Sequence, residues 1–231
     1  MVKTTLKMIN TPRTWRIPRK KNVFITRPNP GSHNFESGMS VDTLLKNYFD
    51  LVDNTREVKY LINENKVFKN AKPIKSKKEI IGLFDVLSFP EIEKYYRITF
   101  DNSKKINVIE IKKEESNFLL MRLVDKKIIG KDKVQLNFEH GRNIVVDSKE
   151  AKKYTIKGSA ILDLSTNKIT KFVEFKEGII AFVTSGNHIG NTVEVVSFEK
   201  EMATIKSNDK EEKAMKKFLV ALGEKKAEIT M

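Results

Sequence analysis

The chain has 231 residues, room for two or three small domains, and 44 Lys+Arg against 30 Asp+Glu leave a formal charge of +14. That excess calls for a polyanionic partner, either nucleic acid or an anionic membrane surface. No stretch approaches the ~20 apolar residues of a membrane span, Met1–Lys7 lacks the apolar core of a signal peptide, and the absence of cysteine removes disulfides and thiolate metal sites.

Residues 1–38 show neither a helical nor an alternating period, and Pro12, Pro18, Pro28 and Pro30 point to an extended, irregular segment. Within residues 1–35 stand Lys3, Lys7, Arg13, Arg16, Arg19, Lys20, Lys21 and Arg27, without one acidic side chain. Trp15, Ile17, Val23, Phe24 and Ile25 interleave with these cations. Such a segment can lay aromatic and apolar groups on a surface while its cations meet phosphates. It is therefore read as a nucleic-acid-binding arm, with Trp15 and His33 among its contacts, and its removal is expected to leave the rest of the chain folded.

From Ser40 the pattern changes. Val41, Leu44, Leu45, Tyr48, Phe49 and Val52 recur at helical steps, with Ser40 as N-cap. Asn54 precedes Glu57 by three residues, a capping-box-like start for a second helix with Val58, Leu61 and Ile62 on its apolar stripe. The polar faces present Lys46, Arg56 and Lys59. Residues 66–78 then read as a short strand, a tight turn at Asn70-Ala71 and a basic loop, bearing Lys69, Lys72, Lys75, Lys77 and Lys78. A rigidly held hairpin would present these cations as a second nucleic-acid contact. Ala71, where glycine is common in such turns, suits a type I turn.

Beyond Tyr95 the period becomes two. Strands are expected at Tyr95–Asp101, Ile106–Ile111, Val134–Phe138, Ile144–Val146, Ile161–Leu164 and Ile169–Phe175. A further set follows at Ile179–Val183, Thr192–Phe198, Ala203–Lys206 and Lys217–Leu222, and strands at this spacing suggest small barrels. No phosphate-binding glycine loop, dinucleotide fingerprint or nucleophile elbow is present. Glu114-Glu115 and Glu211-Glu212 are adjacent pairs in charged stretches, poorly placed as acid/base partners. His33, His140 and His188 lie far apart, without metal-ligand spacing. Neither a cofactor nor catalysis is expected.

Three stretches carry a family resemblance. Leu6 to Trp15, then Val23-Phe24, Arg27-Pro28, Gly31 and His33, resembles the opening of the archaeal and eukaryotic S-four-e family of small-subunit ribosomal proteins. Phe84-Asp85-Val86-Leu87-Ser88 resembles the strand that ends that family's S-four-type RNA-binding unit. Ile161-Leu162-Asp163-Leu164, Lys168 to Phe175 and the loop from Val183 to Gly190 resemble the junction into its KOW domain. The loop departs from the family pattern at Ser185, Asn191 and Val193.

The resemblance implies a multidomain α+β protein with four parts. These are a basic extension (residues 1–38), a small helical S-four-type RNA-binding unit (39–90), a mostly β central domain (91–175) and an SH3-like KOW barrel (176–231). It implies a cytoplasmic structural constituent of the small ribosomal subunit, with ribosomal RNA and neighbouring ribosomal proteins as partners and neither membrane nor small-molecule substrate. The alternative is a KOW-containing RNA-binding, transcription or RNA-processing factor outside the ribosome. S-four-type units also precede pseudouridine synthases, but Gly141-Arg142-Asn143-Ile144 lacks the aspartate of their motif.

Overall fold

A computed structural model of the chain describes residues 4–49, 51–130, 132–207, 210–224 and 227–230. The chain divides after Asn117 into two units, and β-structure predominates in both. The division expected after residue 90 instead falls at a turn inside a single sheet.

In the first unit, β1 (Leu6–Lys7) and β2 (Phe24–Ile25) form a short ribbon, and β3 (Gly38–Ser40) leads into α1 (Val41–Asn47). The Ser40 hydroxyl accepts the Thr43 N–H at 3.3 Å, the N-cap read from the sequence. In α2 (Thr55–Asn63) the Asn54 side chain accepts from the N–H groups of Arg56 and Glu57, while the Glu57 carboxylate reaches back to the Asp53 N–H. α1 stops before Tyr48, one turn short of the predicted apolar stripe.

β4 (Phe68–Lys69) and β5 (Lys72–Pro73) follow as a two-residue hairpin, and β6 (Ile80–Gly82) pairs with β3. β7 (Val86–Phe89), β8 (Lys94–Phe100) and β9 (Ile106–Ile111) complete a five-stranded antiparallel sheet in the order β5-β4-β7-β8-β9. The hairpin turn is not the expected type I. Both Asn70 and Ala71 have positive φ, 49° and 61°. A two-residue connection matches the right-handed twist of its strands only in this mirror-image form. Pro73, which has no N–H to donate, sits on the edge strand where none is required.

The N-terminal segment is built into this unit, contrary to its reading as a detachable arm. Leu6, Met8 and Trp15 are buried. The Trp15 indole N–H donates to the Gly38 carbonyl at 3.1 Å, and its ring packs on Phe35. The Ile106 N–H donates to the Thr14 carbonyl at 2.7 Å, extending the edge of β9 with arm backbone. The Tyr48 hydroxyl accepts from the Arg16 N–H and donates to the Ile106 carbonyl. Burial pushes its pKa up to about 12, against a smaller opposing pull from Arg16.

The second unit contains two antiparallel sheets. The first is built from β10 (Phe118–Ile129), β11 (Lys133–Phe138), β12 (Asn143–Asp147), β13 (Ser159–Asp163) and β14 (Lys168–Val173), ordered β12-β11-β10-β13-β14, with the short α3 (Ser148–Ala151) after β12. β10 was not legible as a strand, because Phe118 to Met121 is continuously apolar and a register shift after Leu123 breaks its alternation. Its first half pairs with β13 and its second with β11. Leu119, Met121 and Leu123 thereby meet Val134, Leu136 and Phe138 in one core.

The second sheet runs β18-β17-β16-β15-β19 through β15 (Ile180–Val183), β16 (Thr192–Glu199), β17 (Met202–Ser207), β18 (Lys210–Met215) and β19 (Leu219–Gly223). Its core is small and aliphatic, including Ala181, Val193, Val195, Ala203, Ile205 and Ala221.

Candidate nucleic-acid interface

The first unit holds a buried polar centre that sets what its surface can show. Asp85 follows Phe84, whose backbone is left-handed at φ 67°. Its carboxylate meets His33 Nε2 at 2.7 Å and Lys69 Nζ at 3.1 Å, and accepts from the Gly82 N–H at 3.1 Å and the Asn70 amide at 2.7 Å. Burial alone would raise the Asp85 pKa, but His33, Lys69 and Asn70 together hold it well below the usual carboxylate range. Asn70 also accepts the Val86 N–H, fixing the hairpin turn to β7. Gly82 makes room for the imidazole, since a Cβ there would lie 2.5 Å from the His33 ring.

Two residues read from the sequence as nucleic-acid contacts are therefore corrected to core positions. Trp15 is 2% exposed and spends its N–H on Gly38, leaving no ring face for a base. The side chain of His33 is fully buried against Asp85. Lys69 is corrected in part. Its side chain is 11% exposed, and its amine bonds the Ile80 carbonyl at 2.6 Å as well as Asp85. Lys46, half-buried, is tied to Asp42 at 3.0 Å and to the Thr55 hydroxyl at 2.6 Å.

Lys7, Arg13, Arg16, Lys20, Lys21, Arg56, Lys59, Lys72 and Lys75 are exposed, and Arg19, Arg27, Lys77 and Lys78 are half-buried. Lys3 lies outside the described residues. Lys59 and Lys75 to Lys78 border a hollow of about 330 Å3 beside α2. Lys77 and Lys78 also border a second hollow, of about 490 Å3, together with Lys21, Arg27 and Lys46. Because the two hollows share these lysines, cations from α2, the loop after the hairpin and the N-terminal segment form one continuous tract. Asp42, the buried acid at its floor, is already taken up by Lys46 and the Thr26 hydroxyl. A third concavity, of about 550 Å3, collects Arg13, Arg16, Arg19 and Lys105 around Ile17 and Pro18.

Sequence reasoning missed Asp85, Asn70, Arg97 and Lys105. A single carboxylate inside the apolar run Phe84 to Leu87 is the signal that could have marked Asp85 as buried and paired. Arg97 is also buried, bonding the Glu115 carbonyl at 3.2 Å, and burial lowers its guanidinium pKa to about 10 against the opposing pull of Glu115. Lys105 joins the arginines only because Ile106 pairs with Thr14. In the second unit, His188 in the 184–191 loop pairs with Glu212 at 2.7 Å.

Cations set along concave surfaces suit a phosphate backbone: they neutralise charge without reading sequence. Comparisons with known proteins place the chain among relatives over nearly its whole length. Residues 92–169 match the model of the ribosomal family S4e, and residues 2–36 match the RS4NT (NUC023) domain. The small ribosomal subunit protein eS4 of Methanococcus vannielii is 31% identical over 98% of this chain and 96% of its own length. That of Nanoarchaeum equitans is 34% identical over 82% of this chain and 80% of its own length. The crystal structure of the 30S ribosomal protein S4e from Thermoplasma acidophilum superposes with a TM-score of 0.69 at 19% identity, covering 81% of this chain and 95% of that one.

Proposed function

The chain belongs to the S4e family of ribosomal proteins, and from that membership we propose that it is a structural constituent of the small ribosomal subunit that binds and scaffolds ribosomal RNA in the cytoplasm. The observation that carries this reading is the continuous basic tract formed by Lys21, Arg27, Lys59, Lys75, Lys77 and Lys78. Arg13, Arg16, Arg19 and Lys105 form a second contact. In this reading residues 39–90 act as an S-four-type RNA-binding element within the first unit. Residues 176–231 act as an SH3-like KOW domain, a reading supported by the five-stranded antiparallel sheet β15–β19 and its aliphatic core. Neighbouring small-subunit proteins are the remaining partners.

The mechanism is electrostatic and geometric. Lysines and arginines displace counterions from the phosphates of folded RNA, and the buried Asp85 centre holds their scaffold rigid, so little entropy is lost on binding. The test is sedimentation of the native chain with small subunits, together with a salt titration of its binding to small-subunit ribosomal RNA. With 6–10 phosphate contacts, affinity should fall by roughly 10³–10⁵ between about 50 and 200 mM salt. Failure to sediment with small subunits, or an affinity indifferent to salt, would overturn the reading.

A further inference from the structure

Among the described residues, no strand pairs with the β12 edge of the second unit's first sheet. β12 reads Asn143-Ile144-Val145-Val146-Asp147, with no proline and no lysine. Sheet edges are ordinarily protected by such residues, by bulges or by covering segments. The other edges of this unit have protection. β14 carries Lys168 and Lys171, the latter bound to Glu228 at 2.6 Å, β18 includes the charged run Glu211-Glu212-Lys213, and β19 is buried along its length.

The hydrogen-bond parity of β12 is fixed by its ends. Phe138 N–H donates to the Arg142 carbonyl and Ser148 N–H to the Asp132 carbonyl. The register pairs Leu136 with Ile144 and Val134 with Val146. Alternation in an antiparallel ladder then turns the N–H and C=O groups of Asn143, Val145 and Asp147 away from β11. Among the described residues, no backbone group meets them on that side. Val145 is 54% exposed. A hollow of about 660 Å3 runs beside the edge, walled by Ile144 and Val146 and by Tyr154 and Ile169. Its charges cancel, Lys133 and Lys168 standing with Asp147 and Glu150.

We propose that β12 is a strand-addition site for an extended polypeptide segment of a neighbouring protein, uncharged overall and apolar at alternate positions, a proposal that rests on the ribosomal reading above. The occupant is polypeptide because only an extended peptide backbone repeats donors and acceptors at the two-residue spacing that Asn143, Val145 and Asp147 present. A phosphodiester chain lacks that alternation, and the balanced charge of this hollow gives it no attraction, unlike the hollows of the first unit. One row of the added strand's side chains meets Ile144, Val146 and Ile169, and the other lies beside Val145.

The test is amide hydrogen exchange of the full chain, free and incorporated into small subunits, read over residues 142–148, with the Val145→Pro variant in parallel. Proline removes only an outward N–H, so the β10–β11 ladder serves as the folding control, and Val145→Lys replaces it if that ladder opens. The expected result is exchange at Asn143, Val145 and Asp147 slowed by about tenfold or more in the subunit, with the slowing at Asn143 and Asp147 abolished in the variant, which has no amide N–H at 145. Incorporation with exchange as fast as in the free chain would overturn the strand-addition site alone. Protection that persists in Val145→Pro, or that appears in the free chain as concentration rises, would also overturn it, in favour of an RNA cover or a second copy respectively. A chain that never enters the subunit would remove the ribosomal reading as well.

Discussion

His33 Nε2 and Asp85 Oδ2 stand 2.7 Å apart in the interior of the first unit, joined across 52 positions of sequence. This contact ties the N-terminal segment to the turn before β7, and Lys69 and Asn70 close the same centre from the hairpin. Replacing Asp85 with Asn should destabilise the unit by about 3–5 kcal/mol, because it strands a nearly buried lysine without its counter-charge. The pH dependence follows from the depressed Asp85 pKa. The unfolded chain takes up the proton first, so this stabilisation is present above about pH 4 and is lost as pH falls below it. Urea unfolding at neutral and acid pH should show that loss in the parent and a flatter profile in Asp85→Asn.

Trp15, the chain's one tryptophan, reports on the N-terminal segment directly. Its burial gives blue-shifted emission in the folded state, moving to the red as the first unit unfolds. Trp15→Ala should cost about 3–5 kcal/mol through lost burial, and Trp15→Phe about 1 kcal/mol for the Gly38 hydrogen bond. Deleting residues 1–38 should unfold the unit, as seen by loss of its near-ultraviolet circular dichroism. A deletion variant as stable as the parent would return the segment to the status of a passive arm.

Ala71 occupies a left-handed position with a side chain that gains nothing from it, as it is exposed at the hairpin tip. The left-handed conformation costs a non-glycine residue about 1–2 kcal/mol, and glycine's larger unfolded-state entropy returns part of that. Ala71→Gly should therefore stabilise the first unit by about 0.5–1 kcal/mol, measured as a higher urea midpoint with an unchanged slope.

Lysines of the hairpin region should separate into two classes. Changing Lys59, Lys75, Lys77 and Lys78 together to Gln should weaken binding to ribosomal RNA, with each lost phosphate contact reducing the salt slope by about 0.7–0.9. The melting temperature should hardly move, since these side chains border an open hollow rather than the core. Lys69→Gln should do the reverse, lowering stability through the Asp85 centre while leaving the salt slope nearly unchanged. Filter binding at several salt concentrations, alongside thermal melts, distinguishes the two.

Features that depend on neighbours within one or two turns were readable from residue order. Ser40 and Asn54 cap their helices because a cap needs only a side chain and an N–H two or three residues ahead. The strands at Val134–Phe138 and Thr192–Phe198 were equally legible, because a half-buried strand alternates whatever its partner. The basic bias and the family resemblance likewise required no fold. Tertiary structure alone decided which charges and aromatics face solvent. Trp15, His33 and Lys69 look like surface residues in a basic segment until Gly38, Asp85 and the Ile80 carbonyl supply partners from elsewhere in the chain. Burying a polar group is favourable only when such a partner is present, and the partner's distance in sequence carries no periodic signal. The same limit hid Lys105 from the arginine cluster and the open edge of β12. Both depend on which segment lies alongside, which side-chain order along a single segment does not encode.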